Sequence, residues 1–296
     1  MRRLLNWRGL AWLVALAMTG CVVEQPYAYQ SPQPVDTSAA PVPSTDETEE
    51  QANEPPPPMP VYDQPPCPVE GYVWTPGVWR WGPDGYFWVP GTWVAPPQVG
   101  FLWTPGYWAL SGTVYLFHAG HWGSHVGYYG GINYGHGYDG DGYHGGRWVD
   151  NRFQYNTTVT NVNVTNIHNV YRENVVNNTV INNTVVNNNV AVNQPRVSFV
   201  GGAGGRVQPT PFEAAHANEP RFRPMPVQLQ HHEDARAEPA MNAARNEGRP
   251  QIAGTPRPSA FREQGVTAAR PVGEPYRPQR PVQREEKRDE KRDDRH

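Results

Sequence analysis

The feature that most constrains this chain is a short aromatic phrase, W-x-P-G-x-W, which occurs three times within 35 residues. The copies span 74–79, 88–93 and 103–108, and a fourth, altered copy spans 117–122. Their first aromatic residues lie 14, 15 and 14 residues apart. Such self-similarity is typical of a repeat architecture. It predicts how the chain is built, but it names neither a ligand nor a reaction.

The repeats are predicted to be strands, because aromatic and β-branched residues cluster between turn signals such as Gly82-Pro-Asp-Gly85. We therefore expect a mainly β fold, a small antiparallel meander of aromatic-repeat strands flanked by long disordered or low-complexity segments. The repeat tryptophans are interpreted chiefly as core residues, with a ligand-facing role as the alternative. They are Trp74, Trp79, Trp88, Trp93, Trp103, Trp108 and Trp122.

The two tryptophans of each copy are five positions apart, and an odd separation places them on opposite faces of a regular strand. Between them lie the dipeptides Pro76-Gly77, Pro90-Gly91 and Pro105-Gly106. Proline removes a ladder donor and glycine permits a positive φ, so a bulge there would shift the register by one and return both indoles to one face. Two independent short strands joined by a type II turn are the alternative.

The first twenty residues read as a secretory signal peptide, with three arginines before an apolar run from Leu10 to Met18. This run is too short to span a bilayer. Its ending resembles a bacterial lipobox, which predicts that Cys21 is lipidated and becomes the N-terminus. Cleavage after Ala15-Leu-Ala17 by ordinary signal peptidase, releasing a soluble protein, is the alternative.

Composition changes along the chain predict five segments. The regions after the signal peptide and at the C-terminus contain few large aliphatic residues, and such stretches cannot offset their ordering entropy by burial. The predicted segments are a signal peptide (1–20), a lipid-anchored, Pro-rich acidic tether (21–67), a Trp/Tyr/Gly-rich repeat β domain (68–150), an Asn/Val repeat tract (151–205), and a disordered Pro/Arg-rich and charged tail with brief helices (206–296).

Within the Asn/Val tract, valine recurs every five residues at 175, 180, 185 and 190. A period of five fits neither a helix nor a flat strand. Three interpretations remain open: short strands broken at Asn-Asn turns, a solenoid coil, or a polar tract prone to β-association.

The chemically reactive side chains do not assemble a recognisable site. If Cys21 is acylated, Cys67 is the only remaining thiol, so we expect a free thiol, with an intermolecular bridge as the alternative. His118, His121 and His125 have H-x2-H-x3-H spacing, but a strand would turn the first two to opposite faces. We assign no metal and no cofactor.

Catalysis and nucleic-acid binding are not expected. No G-x-S-x-G elbow, paired cysteine and base, or perturbed carboxylate pair is evident in the sequence. The sequence has 25 basic and 28 acidic residues. Removal of the three arginines of the leader leaves 22 basic residues and a net charge of about −6. Nucleic-acid affinity depends on basic patches, so nucleic acid is not an expected partner.

The sequence resembles the WXXGXW (also YXWXGXW) repeat family of bacterial envelope proteins. The resemblance rests on residues 62–67, 71–77, 86–93, 102–108 and 126–135, and the Asn/Val tract and Gly201–Gly205 also resemble longer members. It implies an exported or lipid-anchored protein, and some members are associated with contact-dependent interaction systems.

Taken with this resemblance, the sequence predicts a non-catalytic cell-envelope lipoprotein with a structural or interaction role. We expect it in the outer membrane of a Gram-negative bacterium, with a soluble periplasmic or secreted protein as the alternative. Expected partners are the membrane, through the N-terminal lipid, and peptidoglycan, a surface glycan or another envelope protein, with self-association also possible. The alternative function is a glycan- or peptidoglycan-binding module that uses exposed aromatic residues.

Overall fold

The computed structural model describes residues 48–175, 178–181, 184–187, 196–271 and 276. The predicted signal peptide, the predicted lipidation site Cys21 and the densely charged run 284–295 lie outside these residues. All described residues belong to one compact unit. No helix among them is both long enough and apolar enough to cross a membrane.

Short strands dominate the structure, which confirms the predicted mainly β class with small antiparallel sheets. In chain order the strands are β1 (Thr48–Ala52), β2 (Val73–Thr75), β3 (Val78–Gly82), β4 (Gly85–Val89), β5 (Gly91–Val94), β6 (Leu102–Thr104), β7 (Tyr107–Ser111), β8 (Val114–His118), β9 (His121–Gly123), β10 (Gly146–Val149), β11 (Arg152–Asn156), β12 (Val170–Tyr171), β13 (Asn178–Ile181), β14 (Thr184–Asn187), β15 (Phe199–Val200) and β16 (Gly254–Thr255). The helices are α1 (Pro211–Ala215), α2 (Pro226–Ala237) and α3 (Ala243–Asn246), with a 3-10 turn at Pro239–Met241.

The repeat strands pair as two nested hairpins. In the first hairpin (73–94), β3 pairs with β4 and β2 pairs with β5. In the second hairpin (102–123), β7 pairs with β8 and β6 pairs with β9. Each hairpin is therefore a long antiparallel ribbon that contains two copies of the aromatic phrase, one on each arm.

The predicted one-residue register shift at Pro-Gly is wrong. Thr75 pairs with Thr92 and Val78 with Val89, so the register continues unbroken across the interruption. Pro76-Gly77 therefore lies opposite Pro90-Gly91, and the ladder is interrupted on both arms at the same level. A symmetric interruption leaves the pairing in register, whereas a bulge on one arm alone would shift it.

Further segments extend or cover the hairpins. Strand β1 adds to β8 in antiparallel fashion, and the short strands β15 and β16 add in parallel to β7 and β5. A separate small sheet has the order β10-β11-β12. These additions cover hairpin edges that would otherwise present unpaired backbone groups.

The segment 48–67 is not the extended tether that its composition predicted. Strand β1 lies within it, and Met59, Tyr62 and Cys67 are buried in the core. Its proline-rich backbone supplies acceptors, since Trp79 Nε1 donates to Pro58 O over 3.2 Å and Trp93 Nε1 donates to Pro65 O over 2.8 Å. A proline-rich segment packs here because buried indoles need acceptors and proline carbonyls supply them.

The segment 206–271 is not a disordered tail. It contributes Ala235, Met241 and Ala253 to the hydrophobic core, and each is fully buried. Helix α2 packs on β4, and β16 pairs with β5. Small residues and prolines allow the chain to approach the aromatic hairpins closely, so the folded part reaches well beyond the predicted limits of 68 and 150.

The Asn/Val tract contributes to two different structures. Phe153, Tyr155 and Ile167 at its start are core residues. Farther along, β13 and β14 form an antiparallel hairpin in which Val180 pairs with Val185. Short paired strands are the element that the first of the three interpretations predicts, and the Asn182-Asn183 step between them lies outside the described residues.

Candidate functional site: the repeat core and its clefts

The aromatic residues of the repeats form the core of the fold. Trp103 is the most accessible of the seven repeat tryptophans and has only 8% of its surface exposed. The other six are Trp74, Trp79, Trp88, Trp93, Trp108 and Trp122, and none exceeds 1%. The tryptophans meet in edge-on pairs across each hairpin, such as Trp74 with Trp93 at 5.3 Å between ring centroids. This geometry is favoured by the aromatic quadrupole.

In the first hairpin, the leading tryptophan of each phrase covers the glycine of the opposite phrase. A Cβ atom on Gly91 would lie 2.5 Å from Trp74 Cζ2 and 2.9 Å from the backbone nitrogen of Gly77. Reciprocally, a Cβ atom on Gly77 would collide with the indole of Trp88. Neither glycine has the positive φ that the sequence suggested. Glycine is needed because two backbones and an indole approach one another there.

The second hairpin repeats this interlock with one aromatic substitution. Here Trp103 covers Gly120, and Phe117 covers Gly106, where a Cβ atom would lie 2.6 Å from Phe117 Cζ. Ala119 takes the place of the fourth proline. The altered fourth copy therefore keeps the covering ring and the glycine, the two features that the packing requires. Pro105, in the third copy, is buried like Pro76 and Pro90.

The second tryptophan of each phrase ties its hairpin to another segment through the indole N–H. In addition to the bonds from Trp79 and Trp93 to proline carbonyls, Trp108 Nε1 donates to Trp79 O over 2.8 Å. Trp122 Nε1 donates to Gln228 Oε1 of α2, also over 2.8 Å. The second tryptophan of each phrase thus anchors a neighbouring segment, whereas the leading ring covers a glycine. Trp88 does both, since its Nε1 also donates to a carbonyl of the chain after α3.

A tyrosine outside the phrases joins the two hairpins at equivalent positions. The Tyr138 hydroxyl lies 2.9 Å from Trp103 O and 3.2 Å from Trp74 O, the carbonyls of the leading tryptophan in each hairpin. Tyr138 is fully buried. The Gly/Tyr-rich segment therefore serves as a bridge between repeats.

Comparison with protein families agrees with this repeat geometry. The family model described as WXXGXW repeat matches residues 71–94 and 99–122, which are the two hairpins. The chain carries two WXXGXW repeats. No curated protein matches the chain significantly, and no solved structure does so. One WXXGXW repeat thus corresponds to one hairpin with two aromatic phrases, rather than to one phrase.

The WXXGXW hairpins and α2 enclose a central cleft of about 280 Å³. Val78 and Val89 of the first hairpin and Leu229 of α2 give it apolar walls. Arg80 also lines the cleft, and its Nη2 lies 2.7 Å from Glu50 Oε1 while its guanidinium stacks over the ring of Phe117. Gln228, His231 and His232 also line the cleft. A largely apolar cleft with one fixed, paired cation can hold an apolar side chain.

A second cavity, of about 200 Å³, is lined by His121 of the second hairpin, by His125 just after it and by the chain after α1. The three histidines with H-x2-H-x3-H spacing do not form a common cluster. His118 stacks on Tyr107 at 4.7 Å between ring centroids, whereas His125 lies beside Glu219 and His216. The H-x2-H-x3-H spacing could not predict the grouping of His125 with His216 and Glu219, because the last two residues lie about 90 positions farther along the chain.

Buried histidine is the second feature that the sequence did not predict. His231 on α2 is 3% exposed, its Nε2 lies 2.8 Å from Pro90 O, and Ser259 N donates to its Nδ1 over 2.8 Å. These partners assign the proton to Nε2, since Nδ1 accepts. Burial lowers the pKa of His231 to about 4.

Cys67 is a buried free thiol. Its Sγ donates to Val69 O over 3.1 Å and lies 3.5 Å from the Tyr155 hydroxyl, and burial raises the pKa of the thiol to about 12. Thiolate is the reactive form. We expect iodoacetamide to alkylate the folded protein at Cys67 at least about 10²-fold more slowly than the denatured chain. Comparable rates, followed by mass spectrometry, would show that the thiol is accessible and that an intermolecular bridge can form.

Proposed function

We propose that the protein is a non-catalytic lipoprotein of the bacterial cell envelope, in which the two WXXGXW hairpins are a scaffold for interaction with another protein. The observation that carries this proposal is the burial of all seven repeat tryptophans. Their indole faces are used within the fold, so the repeats determine the shape and stability of the domain.

The interaction surface of this scaffold is centred on α2 beside the central cleft. Leu229 lines the cleft and is 52% exposed, and Val227 on the same helix is 42% exposed. Exposed apolar side chains at the mouth of a cleft favour contact with an apolar partner surface. The partner class is therefore another envelope protein or a second copy of this chain, which inserts an apolar side chain beside Leu229.

The alternative function, binding of peptidoglycan or a surface glycan, needs aromatic faces open to solvent. Sugar rings stack on exposed indoles, and those of the repeats are enclosed. A glycan would have to use partly exposed rings such as Trp81 and Trp148, which lie outside the repeated phrases.

Attachment to the envelope is proposed through acylation of Cys21. The support is the arginine-led apolar leader that ends at this cysteine. We expect cells fed radiolabelled palmitate to label the wild-type protein and not Cys21→Ala. Label that persists in Cys21→Ala would refute the anchor at this residue.

The interaction role is tested by a photo-crosslinking amino acid placed at Leu229, with Val164 as the matched control position. Val164 is 59% exposed and is absent from the lining of the central cleft. We expect discrete protein-sized adducts in cells from position 229 and none from position 164. Purified cell-wall sacculi should not sediment the protein. Sedimentation with sacculi, together with no adduct from position 229, would favour the glycan alternative.

A further inference from the structure

The histidine cavity holds a group of potential metal ligands from two distant parts of the chain. His125 follows β9, whereas His216 and Glu219 follow α1. One potential ligand atom of each lies within 4.8 Å of those of the other two. His125 Nδ1 is 2.9 Å from both oxygens of the Glu219 carboxylate, and the rings of His125 and His216 are 4.1 Å apart between centroids.

The orientation of His216 leaves one ring nitrogen available. Its Nδ1 lies 2.7 Å from Phe212 O, one helical turn earlier, so Nδ1 carries the proton and donates it there. In this tautomer Nε2 carries the lone pair that can coordinate a metal ion. Metal-binding histidines commonly have their other ring nitrogen fixed by a backbone carbonyl in this way, which sets both tautomer and ring direction.

The segment that carries His216 and Glu219 is held in place on both sides. Helix α1 begins with a capping box in which Thr210 and Glu213 bond each other's backbone, and Glu213 also pairs with Arg206 Nη2 at 3.1 Å. At the other end, Phe222 and Trp122 exchange two backbone hydrogen bonds, of 2.8 and 2.9 Å. Pre-organised ligands bind a metal with little ordering cost.

We propose that His125, His216 and Glu219 form a zinc site that fastens the chain after α1 to the second WXXGXW repeat. Two imidazoles and one carboxylate are a ligand set that suits Zn²⁺. Tetrahedral bonds of about 2.1 Å place neighbouring ligand atoms about 3.4 Å apart, so the 2.9 Å contact has only to open slightly. All three residues line the cavity, so water can reach the group.

The zinc site is independent of the proposed envelope role, and its first test is thermal. Zn²⁺ should bind the folded state more tightly than the unfolded state, since about 90 residues separate His125 from His216 and Glu219 in the unfolded chain. We therefore expect Zn²⁺ to raise the unfolding temperature of the metal-free protein with one equivalent bound, reversibly on addition of EDTA, and we expect Mg²⁺ to have no effect. No change with Zn²⁺ would overturn the proposal.

Variants identify the ligands by isothermal titration with Zn²⁺. His216→Ala and Glu219→Gln should each weaken binding at least about tenfold. His168→Ala, which changes an exposed histidine elsewhere, should bind as wild type does. His118→Asn should also retain the site, whereas a site formed by the H-x2-H-x3-H spacing would lose it.

Folding of the variants is checked by their unfolding temperature without metal. Glu219→Gln is nearly isosteric and keeps the test valid if His216→Ala destabilises the fold. Co²⁺ provides a second readout, because a four-coordinate site gives intense visible absorption that each ligand variant should lose. Wild-type affinity in both ligand variants would assign any bound zinc to other residues and refute the site.

Discussion

Gly91→Ala is expected to destabilise the protein by about 3 kcal/mol or more, although it adds only one methyl group. The new Cβ atom would meet Trp74 Cζ2 at 2.5 Å, the Tyr62 hydroxyl at 2.7 Å and the backbone of Gly77 at 2.9 Å. The tryptophan has no room to move, because it is completely buried. The paired arms of the hairpin must therefore separate, at the cost of the core contacts between them. Chemical denaturation followed by circular dichroism measures the loss.

Gly82→Ala is the matched control in the same hairpin. Its Cβ atom would lie no closer than 3.4 Å to Phe87, and Gly82 has no positive φ. We expect a change within about 0.5 kcal/mol. Gly120→Ala should reproduce the large effect in the second hairpin, since the indole of Trp103 and the backbone of Gly106 enclose that position. Equal, small effects at Gly91 and Gly82 would show that the interlock does not stabilise the repeats.

Acid is expected to destabilise the fold through His231. In the unfolded chain this histidine titrates near pH 6.5, whereas burial lowers its pKa in the folded protein to about 4. Between these values the unfolded state binds a proton that the folded state does not. The contribution of His231 to stability is therefore present above pH 6.5 and is lost as the pH drops through this window, by about 2 kcal/mol at pH 5 and about 3 kcal/mol at pH 4. His136 and His232, whose pKa values burial lowers to about 3, add to the acid loss.

The structural reason is that protonation of His231 would place an N–H at Nδ1 against the N–H of Ser259, which now donates to that atom. Denaturation at pH 7, 5 and 4 measures the effect. His231→Gln should be less stable at pH 7, since it loses a buried partner, but its stability should fall less by pH 4. His168→Gln, at an exposed position, should keep the wild-type pH dependence. An unchanged dependence in His231→Gln would assign the acid effect to other groups.

The repeat residues could be predicted from the sequence, and their pairing could not. Aromatic and β-branched spacing was sufficient to predict strands and a tryptophan core. It did not indicate that Pro76-Gly77 lies opposite Pro90-Gly91, because the spacing of residues within one arm of a hairpin does not determine which residues of the other arm pair with them. The requirement for glycine was correct, but the reason is close approach rather than a positive φ.

The segments outside the repeats were predicted least well. Composition indicated disorder for 206–296, yet Met241 and Ala253 are fully buried. Composition shows how many apolar residues a segment contains. It does not show that the backbone carbonyls of the segment accept hydrogen bonds from buried indole N–H groups. Trp88 Nε1 donates to Ala253 O over 3.0 Å, a long-range contact for which no local pattern exists. The histidine cavity was missed for the same reason, since its ligands meet only in the tertiary structure.

The central claim is that the repeat tryptophans are the core of the fold, and quenching of tryptophan fluorescence by acrylamide tests it most directly. Trp81 and Trp148 are partly exposed and would mask the result. The measurement therefore uses Trp81→Phe/Trp148→Phe in a chain that begins at residue 21, so that only the seven repeat tryptophans emit. We expect a shallow quenching slope in the folded protein that becomes steep on denaturation. A quenching slope in the folded protein as steep as that of the denatured chain would contradict the claim, because it would show that the indoles are exposed to solvent.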